Sequence, residues 1–145
     1  LSEEANEEAA LNVQTPVEPS PYISLAVYQR ALKQYDKSLA SLKEASKLDE
    51  IAPSTEPAMS VQYHTGWTLH EAGRFKEAVA AYSAGIVKQP EFGAAFYRRA
   101  SAYEALGDKK SARKDLTRAN ELPPKEGWPA EVLAKLAEYG LTKKD

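Results

Sequence analysis

Cysteine is absent from the sequence, which excludes a disulfide framework, a thiolate metal site and a thiol nucleophile. Only two histidines are present, His64 and His70. Their spacing sets them on different faces of a helix, and neither stands in a His-Glu-x-x-His arrangement. There is no glycine-rich phosphate loop and no Gly-x-Ser-x-Gly elbow. The glutamates near the start lack the spacing of a calcium loop. These absences give no metal, no cofactor and no catalysis as the expectation. No apolar run reaches the roughly 18 residues of a membrane-spanning helix, and no signal peptide opens the chain. The first residue is Leu1 rather than Met, which reads as a trimmed or processed product. Cytoplasm and periplasm both remain open, with the missing Met and Cys leaning towards an extracytoplasmic place.

Base is missing from one end. Residues 1–19 carry Glu3, Glu4, Glu7, Glu8 and Glu18 with no Lys or Arg, so this arm is −5 and residues 20–145 are +3. Pro16, Pro19 and Pro21 follow the glutamates, and the stretch reads as an acidic, flexible arm with a hinge. A body this weakly basic, with mixed signs throughout, is a poor match for a nucleic-acid backbone. What the sequence does have is 145 residues at 43% hydrophobic, one domain's worth of chain with enough apolar surface for a core.

The informative presence is a 34-residue echo. Moved forward by 34, Gly66 meets Ala100, Leu69 meets Tyr103, Gly73 meets Gly107, Ala78 meets Ala112, Tyr82 meets Leu116 and Pro90 meets Pro124. Small falls on small, bulky on bulky, and helix-ending Gly and Pro on their like. With an offset of 40, Tyr22 meets Gln62, Ala26 meets Gly66, Tyr35 meets Phe75, Ser38 meets Ala78 and Leu42 meets Tyr82. The six extra residues fall between Asp49 and Pro57, where an insertion lengthens a loop and spares the packing. Helical periodicity predicts pairs over about 20–32 and 35–48, 56–72 and 76–88, and 91–106 and 109–122. A seventh helix opens at Pro129 and runs to Tyr139, with Val132, Leu133, Leu136 and Tyr139 as its apolar face. The resulting divisions are the arm at 1–19, repeats at 20–52 (degenerate), 59–92 and 93–126, and a capping helix and tail at 127–145.

The pattern of Phe96, Ala100, Tyr103, Ala112, Leu116 and Pro124, echoed by Gly66, Leu69, Ala78, Tyr82 and Pro90, resembles the tetratricopeptide repeat family. Gln62, Thr65 and Arg99 depart from it, and Ser38 replaces the usual Ala. The resemblance implies an all-α fold, an α-solenoid of antiparallel helix pairs wound as a right-handed superhelix with about seven helices. It also implies a concave groove lined by the first helix of each pair. The positions facing that groove are Ile23, Ser24 and Val27, then Ser60, Tyr63, His64 and Trp67, then Ala94, Tyr97, Arg98 and Ser101. Tyr63, His64, Trp67, Tyr97, Arg98 and Ser101 are the candidate partner-binding residues. Trp67 is assigned to the groove, Tyr63 and Tyr97 fit either the groove or the space between helices, and His64 reads as a solvated side chain.

One variant of the family clamps chaperone C-terminal carboxylates with Lys, Asn and Arg side chains. Of Ile23, Val27, His64, Ala94 and Arg98 at the matching places, only Arg98 fits, so that activity is not implied. A secondary patch, Lys109, Lys110, Arg113 and Lys114, lines one side of a helix. It reads as solvated surface diluted by Asp108, Asp115 and Glu121, or as a dock for an acidic partner or the chain's own arm. The leading functional expectation is an adaptor for a protein or peptide partner. A scaffold that self-associates through its terminal repeats, a homo-oligomer, is the alternative.

Overall fold

The computed structural model describes residues 20–57 and 60–142, and the acidic arm lies outside them. Seven helices and no strand are found among these residues: α1 (Ser20–Ala31), α2 (Tyr35–Asp49), α3 (Val61–Glu71), α4 (Phe75–Lys88), α5 (Gly93–Ala105), α6 (Lys109–Glu121) and α7 (Ala130–Glu138). The chain divides into two compact units, Leu1–Arg74 and Phe75–Asp145. That division falls inside the second repeat of the sequence.

In the first unit α1 packs on α2, and both touch α3. Ile23, Ala26, Leu42, Ala45 and Val61 form its core, with Tyr22 packed against them. Helices approach closely only where side chains are small, and Ala26 and Ser38 occupy that crossing, both fully buried. The Ser38 hydroxyl donates to the Ala26 carbonyl oxygen at 2.8 Å, so the serine at an alanine position replaces an apolar contact with a bond across the crossing. In the second unit α5 packs on both α4 and α6. Ala100, Ala112, Leu116, Val132 and Leu136 form its core, with Tyr97, Tyr103, Trp128, Tyr139 and Leu141 against it. Val132 and Leu136, one turn apart, are thus the buried contacts of α7 and Tyr139 packs against the same core, while Leu133 is exposed. The Tyr139 hydroxyl donates to Glu104 at 2.8 Å and the Asn120 amide to the Leu141 carbonyl at 2.7 Å, which fasten the closing segment.

Helix α3 starts later than the apolar pattern suggests. Ser60 is extended, and its side chain accepts from the Tyr63 N–H, making it a better cap than Glu56. Upstream, the Ser54 N–H donates to the Asp49 carboxylate at 3.0 Å and ties the inserted loop to the end of α2. Gly93 is needed where α5 begins, because a Cβ there would run into the Leu122 carbonyl.

Four helices end in the same way. In α1, α3, α5 and α7 the N–H groups of two successive residues fold back onto the last turn: Lys33 to Arg30 and Gln34 to Gln29, Gly73 to His70 and Arg74 to Leu69, Gly107 to Glu104 and Asp108 to Tyr103, Gly140 to Ala137 and Leu141 to Leu136. The turn needs a left-handed residue. Glycine supplies it three times, and Lys33, at φ 61°, supplies it in α1.

Arg99 stands where the repeat pattern has leucine, and its guanidinium is satisfied inside the second unit. It donates to both carboxylate oxygens of Asp115, at 2.8 and 2.6 Å, and to Ser83 on α4 at 3.0 Å. Hydrogen bonding to Asp115 raises the Arg99 pKa above its usual value, against the opposing effect of burial.

Three outcomes are expected from these arrangements. Lys33→Gly removes a left-handed strain of about 1–2 kcal/mol and gives back part of it as unfolded-chain entropy, so chemical denaturation should show a gain of about 0.5–1 kcal/mol. Asp115→Ala strands a largely buried guanidinium and should cost about 3 kcal/mol, whereas Arg99→Leu with Asp115→Ala should recover most of that loss. Asp108 caps α6 by accepting from Ser111, and hydrogen bonds from the Ser111 side chain and backbone hold its pKa below the usual value. Its contribution is therefore complete above the unfolded-state pKa and disappears as pH falls through the folded-state pKa. Melts of Asp108→Ala and the parent protein should differ at pH 7 and converge in strong acid.

Candidate functional site

On α3 the inward side is polar. Arg30 of α1 is 5% exposed, and its Nη1 lies 3.4 Å from each of His64 Nδ1, the His64 carbonyl oxygen and Thr68 Oγ1. A guanidinium has donors only, so the His64 carbonyl oxygen and Thr68 Oγ1 are acceptors towards it. Thr68 Oγ1 lies 3.1 Å from Ser38 Oγ. The Ser38 proton is committed to the Ala26 carbonyl, so Thr68 donates to Ser38 and accepts from Arg30. A one-way chain of donors results: Arg30 to Thr68 to Ser38 to the α1 backbone. Gln29 and Ser41 add a 2.6 Å bond from the Ser41 hydroxyl between α1 and α2.

Three of the six candidate binding residues meet around this polar layer. Tyr63 and His64 are buried, His64 at 6% exposure, which corrects the expectation of a solvated histidine. The tyrosine ring meets His64 and Trp67 edge-on, at 5.4 and 5.9 Å between centroids. Trp67 is half-buried. The Arg30 guanidinium carbon stands 4.0 Å from the centre of its ring, the His64 ring is stacked parallel at 6.0 Å, and its indole N–H donates to Glu71 at 3.1 Å. The ring thus meets a cation over its face and is hydrogen-bonded at its nitrogen, two contacts that favour this orientation.

The other three candidates sit on α5 in the second unit. Tyr97, Arg98 and Ser101 are all half-buried. Tyr97 packs against Trp128 with ring centroids 6.3 Å apart, and the Ser101 hydroxyl donates back to the Tyr97 carbonyl oxygen at 3.3 Å. Of the wider set of groove positions, Ile23 is buried in the α1–α2 core, Ser60 serves as a helix cap, and Val27 is exposed. The secondary patch residues Lys109, Lys110, Arg113 and Lys114 are all exposed on α6.

Sequence reasoning missed Arg30, Thr68 and Asp115. Each is a polar residue inside a helical stripe otherwise read for its apolar members, and a cation at 30 aligned with His70 and Glu104 gave no repeated signal. Among the described residues no group of His, Cys, Asp or Glu is arranged to hold a metal ion, and no helix is long and apolar enough to cross a membrane.

The fold has known counterparts. The chain is similar to solved structures of MamA from AMB-1, in two crystal forms, and of MamA from MSR-1. Each is 24% identical, with TM-scores of 0.62, 0.62 and 0.63. The alignments cover 90%, 82% and 82% of this chain and 67%, 66% and 64% of those proteins. The chain therefore spans about two thirds of their length, and at this identity the likeness is one of fold. No curated protein matches the sequence. The family model for the tetratricopeptide repeat matches residues 23–91 and again residues 63–126, together more than half of the chain. Repeats of this kind form protein-interaction and scaffold modules, and this chain belongs to the tetratricopeptide repeat family.

Proposed function

We propose that the protein is a non-catalytic adaptor that binds an extended peptide or partner segment on the first helices of its repeats. Trp67 is the principal contact, and Arg98 engages a carboxylate or a backbone carbonyl of the partner. The observation that carries this reading is the state of the Trp67 ring. The Arg30 guanidinium lies over it, the neighbouring His64 ring runs parallel to it at 6.0 Å and its N–H donates to Glu71, yet it is only half-buried. A large amphipathic ring fixed in one orientation loses little entropy on binding, and such rings dominate interface energetics. Tyr63 and His64, both buried, shape the surface from beneath. Tyr97 and Ser101 flank Arg98 on α5 and supply apolar and hydroxyl surface.

A second reading, the self-associating scaffold, draws support from the first repeat, where Val27 on α1 and Leu32 just after it are exposed at 37% and 49%. Mass measured by light scattering across a range of concentrations separates the two: a constant monomer counts against the scaffold. The adaptor reading predicts that Trp67→Ala combined with Arg98→Ala, in a protein still folded by circular dichroism, lowers recovery of its partner from source-organism lysate at least tenfold. Undiminished recovery would show that these two side chains are not the binding surface.

A further inference from the structure

The outer face of α6 carries a concentration of positive charge that the fold leaves unmatched. Lys109, Lys110, Arg113 and Lys114 are all exposed, and one turn of spacing sets 109 with 113 and 110 with 114 on adjoining rows. Three acids close in sequence could neutralise them, and the structure accounts for each. Asp115 is buried, with both oxygens bound by Arg99 from the inner side of the helix. Glu121 is paired with Arg118 at 2.8 Å. Asp108 alone remains close to the lysines, and its carboxylate is already bonded to the Ser111 N–H and hydroxyl. Among the described residues Lys109, Lys110 and Lys114 make no ion pair. Arg113 lies 5.4 Å from the Tyr139 ring centre, which steadies it without neutralising it. Two of the lysines also occupy the first turn of the helix, which has no acidic residue, so they oppose the helix dipole rather than complement it.

We propose that this face is a second docking surface, distinct from the aromatic one, and that its occupant is an acidic peptide segment rich in Glu or Asp and lacking base. Charge complementarity fixes the sign of the partner, and the scale of the patch selects its class. Four cations confined to two turns of one helix match a few carboxylates, whereas a nucleic-acid duplex needs cations along a longer track. The chain as a whole is −2, which adds no long-range attraction for a polyanion. A short acidic segment meets the local field alone.

The test uses the full chain and a fluorescein-labelled decaglutamate peptide, followed by anisotropy at low and at physiological salt. The parent protein should bind the peptide at low salt, with binding weakening steeply as salt is added. Lys109→Ala with Lys110→Ala and Lys114→Ala should weaken it at least tenfold, with the melting curve retained. A control of equal charge change, Lys43→Ala with Lys76→Ala and Lys125→Ala, removes exposed lysines elsewhere and should weaken binding less than threefold. Equal losses in the two triple variants, or no binding by the parent protein at low salt, would overturn the proposal. Tighter binding of a labelled single-stranded oligonucleotide than of the peptide would also overturn it, in favour of a nucleic acid.

Discussion

Close approach of helix backbones is the constraint on which the architecture depends. Two helices can cross at short range only where both present small side chains, and bulky residues must then fill the space around the crossing. Ala26 with Ser38, and Ala100 with Ala112, meet that requirement in the two units and are buried to within a percent of completely. Leu42 and Leu116 supply the surrounding volume. Everything displayed outward is positioned by these crossings. They set the rotation of each helix, and the rotation decides which side chains reach solvent.

Where the repeat pattern is broken, polar chemistry takes over the apolar role. Arg99 replaces a core leucine but brings Asp115 and Ser83 with it, so three helices of the second unit are joined through one guanidinium. Arg30, Thr68 and Ser38 do the same for the first unit. Buried networks of this kind are tolerable only when each member is satisfied. Once satisfied, they restrict the neighbours they touch. Trp67 owes its fixed ring to the guanidinium that the network already holds in place, so the departure from the pattern and the display of the aromatic surface share one cause.

The helices and their order were legible in the sequence because the echo is carried by glycine, alanine and proline, whose steric roles depend little on context. Helix ends were read to within a few residues, except at α3, where the capping hydroxyl of Ser60 outweighed an apolar pattern that continues upstream. The site was less legible. Periodicity shows which residues share a face, but it does not show that a histidine on a partly outward face is covered by an arginine of another helix, as His64 is by Arg30. Nor does it separate an acid that faces solvent from one turned inward. Asp115 reads as a diluting surface charge beside the lysines and stands instead in the interior, which changes the charge of the face it was assigned to.

The one-way run of donors from Arg30 through Thr68 and Ser38 to the α1 backbone has an energetic consequence. Each hydroxyl in it has a fixed role, receiving on one side and giving on the other. Replacement of one member leaves an unanswered donor or acceptor at its neighbour, so the three positions 30, 38 and 68 are coupled in energy. Arg30 and Ser38 of the first repeat and Thr68 of the second therefore act as one hydrogen-bonded unit across three helices.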